Sequence, residues 1–343
     1  MLANSGESKV KIIAEAGVNH NGDFNLAIAL IDKAKEAGAN AVKFQNFKAS
    51  EIVTKTAPKA DYQMRVTDKK ESQYEMLKSL ELDDEEFAGL LDYCRTKEID
   101  FLSTPYSFGD VDFLESIGVE GFKIASGQLT ELPFLEYVAR KGKPMILSTG
   151  MADLAEVFAA VKLCRQNSVP DLVVLQCTTN YPTDIEDANV LAMNTIKEAC
   201  KVDVGYSDHV ANNYAAFASA ALGAKVIEKH LTLDNNMKGP DHSSSLEPHE
   251  FKNLVDGIRQ IEFSLGTGDK IPSQAEVKNT YGMKRGLVFA IDIQENTEIR
   301  PSHIGFKRPM EGLPINMMPD VIGKKTTRGH KRDDRIDYSS IQW

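Results

Sequence analysis

The sequence predicts an α/β fold: a parallel (β/α)8 TIM barrel followed by a small β-rich domain. Three observations carry this. Eight short runs rich in Val, Ile and Phe alternate with longer amphipathic stretches over about the first 265 residues, the economical pattern of a closed parallel sheet. No GxGxxG follows the first run, as a dinucleotide-binding open sheet would require. Past Gly266 the texture changes to Gly, Pro and polar residues, then to short β-like runs. The 343 residues are 42% hydrophobic and 26% charged, enough for about two domains and without a disorder signature.

In chain order, the predicted strands are KIIAEA (11–16), AVKFQ (41–45), DFLSTP (100–105), GFKIAS (121–126), PMILST (144–149), LVVLQC (172–177), VDVGYSDH (202–209) and KVIEKHLT (225–232). Helices are expected at 24–38, where Leu26, Ile28, Leu30 and Ile31 give an apolar face and Gly38 a C-cap, and at 153–167. The segment 82–98 carries acids in its first turn and bases in its last, the order a helix dipole favours. The stretch from about 46 to 81 is too polar for a core helix, and a long loop after a barrel strand belongs on the active-site face. These features give a barrel over 1–266, a linker over 267–282 and a second domain over 283–343. That domain holds eleven Lys/Arg against eight Asp/Glu, and the remainder 29 against 42. About 60 residues fold alone only marginally, so the tail is expected to lean on the barrel or on another subunit.

A formal charge of −10 argues against a nucleic-acid or anionic-membrane partner. MLANSGESKV has no apolar signal-peptide core, and no run approaches 18 apolar residues. Four cysteines without CxxC spacing read as reduced thiols. A cytoplasmic location is expected.

Strand alternation points to the chemistry. Val42, Phe44, Phe122 and Ile124 would face helices, which turns Lys43, Gln45 and Lys123 inward. Buried lysines demand an anion: either inward carboxylates such as Glu15 or Glu228, or an anionic substrate such as a phosphate or carboxylate. Thr104, Ser126, Ser148 and Ser207 end strands where they would complete an anion cradle. His209 and His230 end neighbouring strands, an arrangement suited to a divalent metal with open positions for oxygen ligands. Glu15 interrupts an apolar strand, as a general acid/base or as the counter-charge of Lys43. Asp241 lies in the polar loop after the eighth strand.

The motifs IIAEAGVNHNGD (12–23), AVKFQNFKA (41–49), FLSTP (101–105), FKIASG (122–127), ILSTGMA (146–152), QCTTNYPT (176–183), VGYSDH (204–209), VIEKHLTLD (226–234) and GPDHSSSLEP (239–248) together closely resemble the sialic acid synthase family. The tail, with KRGLVFA, FKRPMEGL and VIGKK, is similar to that family's antifreeze-like (SAF) domain. The resemblance implies condensation of phosphoenolpyruvate with N-acetylmannosamine to N-acetylneuraminate, with release of phosphate. The alternative acceptor is 2,4-diacetamido-2,4,6-trideoxymannose, giving N,N'-diacetyllegionaminate; a Schiff-base aldolase is a further alternative. It implies a phosphoenolpyruvate pocket of Lys43, Thr104, Lys123, Ser126, Ser148, Asn180 and Ser207. His209 and His230 would hold Mn2+, or Mg2+ or Co2+. Glu15, Gln45, Tyr181 and Asp241 would serve the sugar side or proton transfer. Arg308 would enter the partner's site in a homodimer with swapped SAF domains. Gln128 stands where the family usually has an acid, and the end, RGHKRDDRIDYSS, departs from the family pattern.

Overall fold

The computed structural model describes residues 9–68 and 70–343; the N-terminal segment read above lies largely outside them. The chain forms two compact units, one up to Gly266 and one from Thr267.

In the first unit, strands β1 (Lys11–Gly17), β2 (Ala41–Asn46), β3 (Asp100–Pro105), β4 (Phe122–Ile124), β5 (Met145–Ser148), β6 (Leu172–Cys177), β7 (Asp203–Asp208) and β8 (Val226–His230) are the eight expected ones. They form one parallel sheet in the order β3-β2-β1-β8-β7-β6-β5-β4, and β3 lies next to β4, so the barrel is nearly closed. Outward side chains such as Ile12, Val42, Phe44, Phe122 and Ile124 pack into the helix-facing core. The lower half of the interior is apolar: Ile13, Ala41, Leu102, Ile146, Val173, Leu175 and Val226 form a buried plug. Polar side chains are therefore confined to the layer above it, at the C-terminal ends of the strands.

Local chemistry sets the helix boundaries. Asp23 caps the helix Phe24–Ala37 by accepting from the Asn25 and Leu26 amides, and Gly38 ends it at φ 87°, a conformation that favours glycine. Asp153 and Glu156 form a capping box at the start of Leu154–Gln166, and Asp83 and Glu86 do the same for Asp84–Thr96. The polar stretch after β2 differs from a plain loop. It forms three short helices, Ala49–Ile52, Asp61–Val66 and Gln73–Lys78, too short and polar to show a helical hydrophobic period.

In the second unit β9 (Gly286–Phe289) pairs antiparallel with β10 (Ile304–Lys307), and β11 (Lys325–Thr326) with β12 (Ile341–Gln342). Leu287, Phe289, Ile299, Leu313, Ile336 and Ile341 belong to its own small core. The expected linker over 267–282 is partly helical. Residues Gln274–Met283 form a helix, started by the Ser273–Glu276 capping box, in which no residue is buried. The Gly/Pro composition that suggested a linker is concentrated before Ser273. The divergent C-terminal end also folds: Ile336 and Ile341 are buried. Among the described residues no helix is long and apolar enough to cross a membrane, and all four cysteines are free and buried.

Candidate active site

Register brings the polar strand ends to one level. Glu15 lies opposite Lys43 on one side and His230 on the other, Ser207 opposite both Glu228 and Cys177, and Gln45 opposite Thr104. Above the apolar plug they open into a cavity of about 260 Å³. Its wall includes Glu15, Lys43, Gln45, Thr104, Lys123, Ser126, Ser148, Tyr181, Ser207, His209, His230 and Asp241, all named from the sequence.

Charge alternates across the cavity floor. Lys43 Nζ lies 2.8 Å from Glu15 Oε2 and 3.7 Å from Glu228 Oε1, and donates to Thr104 Oγ1 at 3.3 Å. Lys123 Nζ is 3.3 Å from Glu228 Oε1, which also accepts from Ser207 Oγ at 3.2 Å. Burial opposes the Lys43 charge, but the Glu15 and Glu228 carboxylates outweigh it and hold its pKa above the usual lysine value. Burial likewise opposes ionisation of Glu228, yet Lys123 and Lys43 bring it down to about 2. Both lysines thus have carboxylate partners, one of the two outcomes the alternation left open, and both still face the cavity. Glu15 is placed as a counter-charge for Lys43, and burial, opposed by Lys43, raises its carboxyl above the usual value. Glu228 is a site residue the sequence reading named only as a possible partner, although it shares the inward face with His230 two residues on.

The hydroxyls are poised by neighbours. Ser126 Oγ accepts from the Gly150 amide at 3.0 Å. A Cβ on Gly150 would sit 2.0 Å from Thr179 Oγ1 and 2.9 Å from Ser126 Oγ, so only glycine lets the loop after β5 approach this closely. Ser148 Oγ, Thr179 Oγ1 and Gln128 Oε1 are buried without a protein hydrogen-bond partner, as polar atoms awaiting a ligand would be. Gln128 Nε2 donates to the Tyr106 carbonyl at 3.3 Å, which directs its oxygen to the cavity it lines.

The imidazoles of His209 and His230 have ring centroids 5.4 Å apart, and Tyr181 packs 4.2 Å from His209. His209 Nδ1 lies 2.7 Å from the Thr178 carbonyl. A carbonyl only accepts, so this nitrogen carries the proton, and in the neutral imidazole Nε2 keeps its lone pair. Burial opposes the charged form, but Cys177 and the Thr178 carbonyl outweigh it and raise the His209 pKa. Burial, then the neighbouring His209, hold the His230 pKa well below the usual imidazole value, so His230 is neutral. Among the described residues no group of three His, Cys, Asp or Glu gathers as metal ligands.

Asp241 is placed by ties between the loops after β1 and β8. Asn19 Nδ2 donates to the Leu231 carbonyl and to Ser245 Oγ, each at 2.9 Å, and Ser245 Oγ donates to the Asp241 carbonyl at 2.7 Å. Burial, then the charge of Glu15, raise the Asp241 carboxyl to about 6. It can hold or release a proton near neutral pH.

Two expected residues are not in this cluster. Asn180 is exposed and does not line the cavity. Alternation continues past β6 and turns Cys177, Thr179 and Tyr181 inward, so Thr179 occupies the place assigned to Asn180. Arg308 belongs to the second unit, exposed just past β10. The sequence reading missed a buried pair behind the imidazoles: Lys229 Nζ lies 2.6 Å from Asp208 Oδ2, donates to the Asn212 carbonyl at 2.9 Å and also bonds the Val210 carbonyl. Their position beside His209 and His230, on the opposite strand face, was the available signal.

A profile of the NeuB family matches residues 30–270. A Campylobacter jejuni protein named N,N'-diacetyllegionaminic acid synthase is 44% identical over 330 residues, 96% of this chain and 99% of its own. A Legionella pneumophila protein of the same name is 42% identical, over 92% of this chain and 89% of its own. The crystal structure of N-acetylneuraminic acid (sialic acid) synthetase from Leptospira borgpetersenii, in complex with citrate, superposes with a TM-score of 0.70 at 36% identity, over 79% of this chain and 90% of that one.

Proposed function

The chain belongs to the NeuB family, and from that premise we propose that it is a nonulosonic acid synthase. It joins phosphoenolpyruvate to the open-chain aldehyde of an acetamido sugar and releases phosphate. The observation that carries this reading is the cavity itself: two inward lysines and four strand-end hydroxyls beside two imidazoles and a carboxyl raised to about 6.

Lys43 and Lys123, with Thr104, Ser126, Ser148 and Ser207, hold the phosphate and carboxylate of the enol and fix its C3 within reach of the aldehyde. C3 forms the new C–C bond. Water adds at C2, which has gained cationic character, and phosphate leaves with cleavage of its C–O bond. The added water gives up both protons as the C2 carbonyl forms, one in effect passing to the aldehyde oxygen and one leaving with phosphate. Asp241 is the group suited to the transfer between water and aldehyde oxygen. Glu15 and Glu228 hold the lysines in place and keep Lys43 charged.

The residues fit a divalent metal. His209 would offer Nε2, because its Nδ1–H donates to the Thr178 carbonyl, and His230 is neutral. The cavity wall also holds three carboxylates against two lysines, so a polyanionic donor needs further positive charge. We assign His209 and His230 as the protein ligands of Mn2+, with Mg2+ or Co2+ as substitutes. When bound, the metal supplies Lewis-acid polarisation of the aldehyde oxygen. We further propose a homodimer in which the antifreeze-like second unit contributes Arg308 to the partner's site, as the family resemblance implies.

Phosphate release measured with phosphoenolpyruvate and an acetamido-mannose acceptor tests the reaction. Release should require both substrates, stop in excess chelator and return with Mn2+. Release from phosphoenolpyruvate alone, or full activity in chelator, would sink the assignment. A Schiff-base aldolase needs a neutral lysine; carboxylates hold Lys43 charged, whereas burial lowers the Lys123 pKa. Borohydride with pyruvate tests both: the condensation predicts no adduct, and one trapped on Lys123 would favour the aldolase.

A further inference from the structure

Resting on the condensation and on the proton transfer given to Asp241 above, we propose that His242 and Asn21 are positioning residues. The hydrogen bond between them, across the barrel mouth, sets where the Asp241 carboxyl stands and so the rate of that transfer. Asp241 lies beyond the strands, in the loop after β8, just before the short 3₁₀ turn His242–Ser244. Such a loop stands where its side chains are tied. Within the turn, the Asp241 carbonyl accepts from the Ser244 amide at 3.2 Å and from Ser245 Oγ at 2.7 Å. Those bonds shape the turn without aiming it. Asn19 anchors it at Ser245, which leaves the end that carries Asp241 to be fixed by His242.

His242 is wholly buried and does not line the cavity. Both its ring nitrogens are engaged. Nε2 lies 3.1 Å from Asn21 Oδ1; a carboxamide oxygen only accepts, so Nε2 carries the proton. Nδ1 then accepts from Thr232 Oγ1 at 2.7 Å. Thr232 belongs to the same loop as His242, whereas Asn21 belongs to the loop after β1, the strand that carries Glu15. Asn21 is itself held. Its amide donates to the Val18 carbonyl at 3.0 Å, and the next amide, of Gly22, donates to His20 Nδ1 at 3.1 Å. Its φ of 51° is one that asparagine tolerates. Gly239 presses on the bonded pair: a Cβ there would come 2.6 Å from His242 Cδ2 and 2.8 Å from Asn21 Oδ1. Neither ring nitrogen is left for a substrate, so His242 acts through Asp241, its neighbour in the chain. A reacting group displaced by about 1 Å can lose about 100-fold in rate.

The test uses the full-length enzyme with phosphoenolpyruvate, Mn2+ and whichever of N-acetylmannosamine and 2,4-diacetamido-2,4,6-trideoxymannose turns over. Asn21→Gly removes the carboxamide and suits the same φ. His242→Asn keeps a polar group for Thr232 and withdraws the one that reaches Asn21. Each should lower kcat, counted per site that binds phosphoenolpyruvate, by about 10- to 100-fold. KM for phosphoenolpyruvate and Kd for Mn2+ should stay within about twofold of wild type. Because both substitutions remove one shared bond, the double variant should be about as slow as either single one. A tie that merely stabilised the loop would lower Tm and the number of binding sites, but not kcat per site. Should His242→Asn fail to fold, Asn21→Gly decides alone, since Asn21 is half-buried. Per-site kcat within about twofold of wild type in Asn21→Gly, a matching loss of phosphoenolpyruvate affinity, or losses that multiply in the double variant overturns the inference and leaves the condensation standing. So does an Asp241→Asn enzyme that works at the wild-type rate. Wild-type enzyme that releases no phosphate with either acceptor overturns the condensation, and this inference with it.

Discussion

Lys43 shows how a single side chain combines folding and function. Its neighbours Val42 and Phe44 face the helix layer, so alternation fixes its inward direction, and Glu15 and Glu228 make its charge tolerable. Lys43→Met or Lys123→Met should weaken phosphoenolpyruvate binding by about 2–5 kcal/mol, the usual cost of truncating one partner of a buried charge pair. The acceptor constant should move much less; substrate titration of each variant measures both, and a shift confined to the sugar would reverse the assignment. Asp241 carries a pH signature. Its carboxyl is raised from 3.8 to about 6 in the fold, so between those values the native state binds the extra proton and stability falls as pH rises. Ionising it costs about 3 kcal/mol above pH 6. In metal-free protein Asp241→Asn should therefore melt higher than wild type at pH 8, with the gap closing by pH 4. Thermal melts across that range decide it.

At the scale of elements, β7 and β8 carry chemistry on both faces. Inward they present Ser207, Glu228 and, at their ends, the two imidazoles; outward they bury Asp208 against Lys229. Lys229 also ties down the Val210 and Asn212 carbonyls, so the outward pair fixes the chain leaving His209. Lys229→Met should destabilise the barrel by about 3–5 kcal/mol, because it strands a buried carboxylate. Adding Asp208→Asn should recover part of that, while Mn2+ affinity stays impaired because the loop carbonyls remain untied. Chemical denaturation and metal titration of the single and double variants separate the two effects. Period-2 alternation made the inward residues legible, Glu228 among them as a possible partner of the lysines. It could not show that an outward lysine and aspartate would pair, since that depends on register between strands.

At the scale of the whole molecule, the proposed trans role of Arg308 makes a distinct prediction. Co-expressed Arg308→Ala and Lys43→Ala chains should recover activity that neither homodimer has, since each heterodimer then contains one whole site. Random pairing would restore about a quarter of all sites in a symmetric dimer. No recovery, with heterodimers confirmed by native mass spectrometry, would place Arg308 within its own chain or outside the site. The sequence by itself determined the eight strands, their inward faces and the polar residues those faces give the cavity, because alternation and capping act over a few residues and leave a local record. Its motif likeness anticipated the family. Tertiary structure alone decided that each lysine is matched by a carboxylate, that Thr179 rather than Asn180 lines the cavity, and that residues 274–283 are helical. These depend on strand register and on loops meeting across the barrel end, where residues far apart in sequence become neighbours.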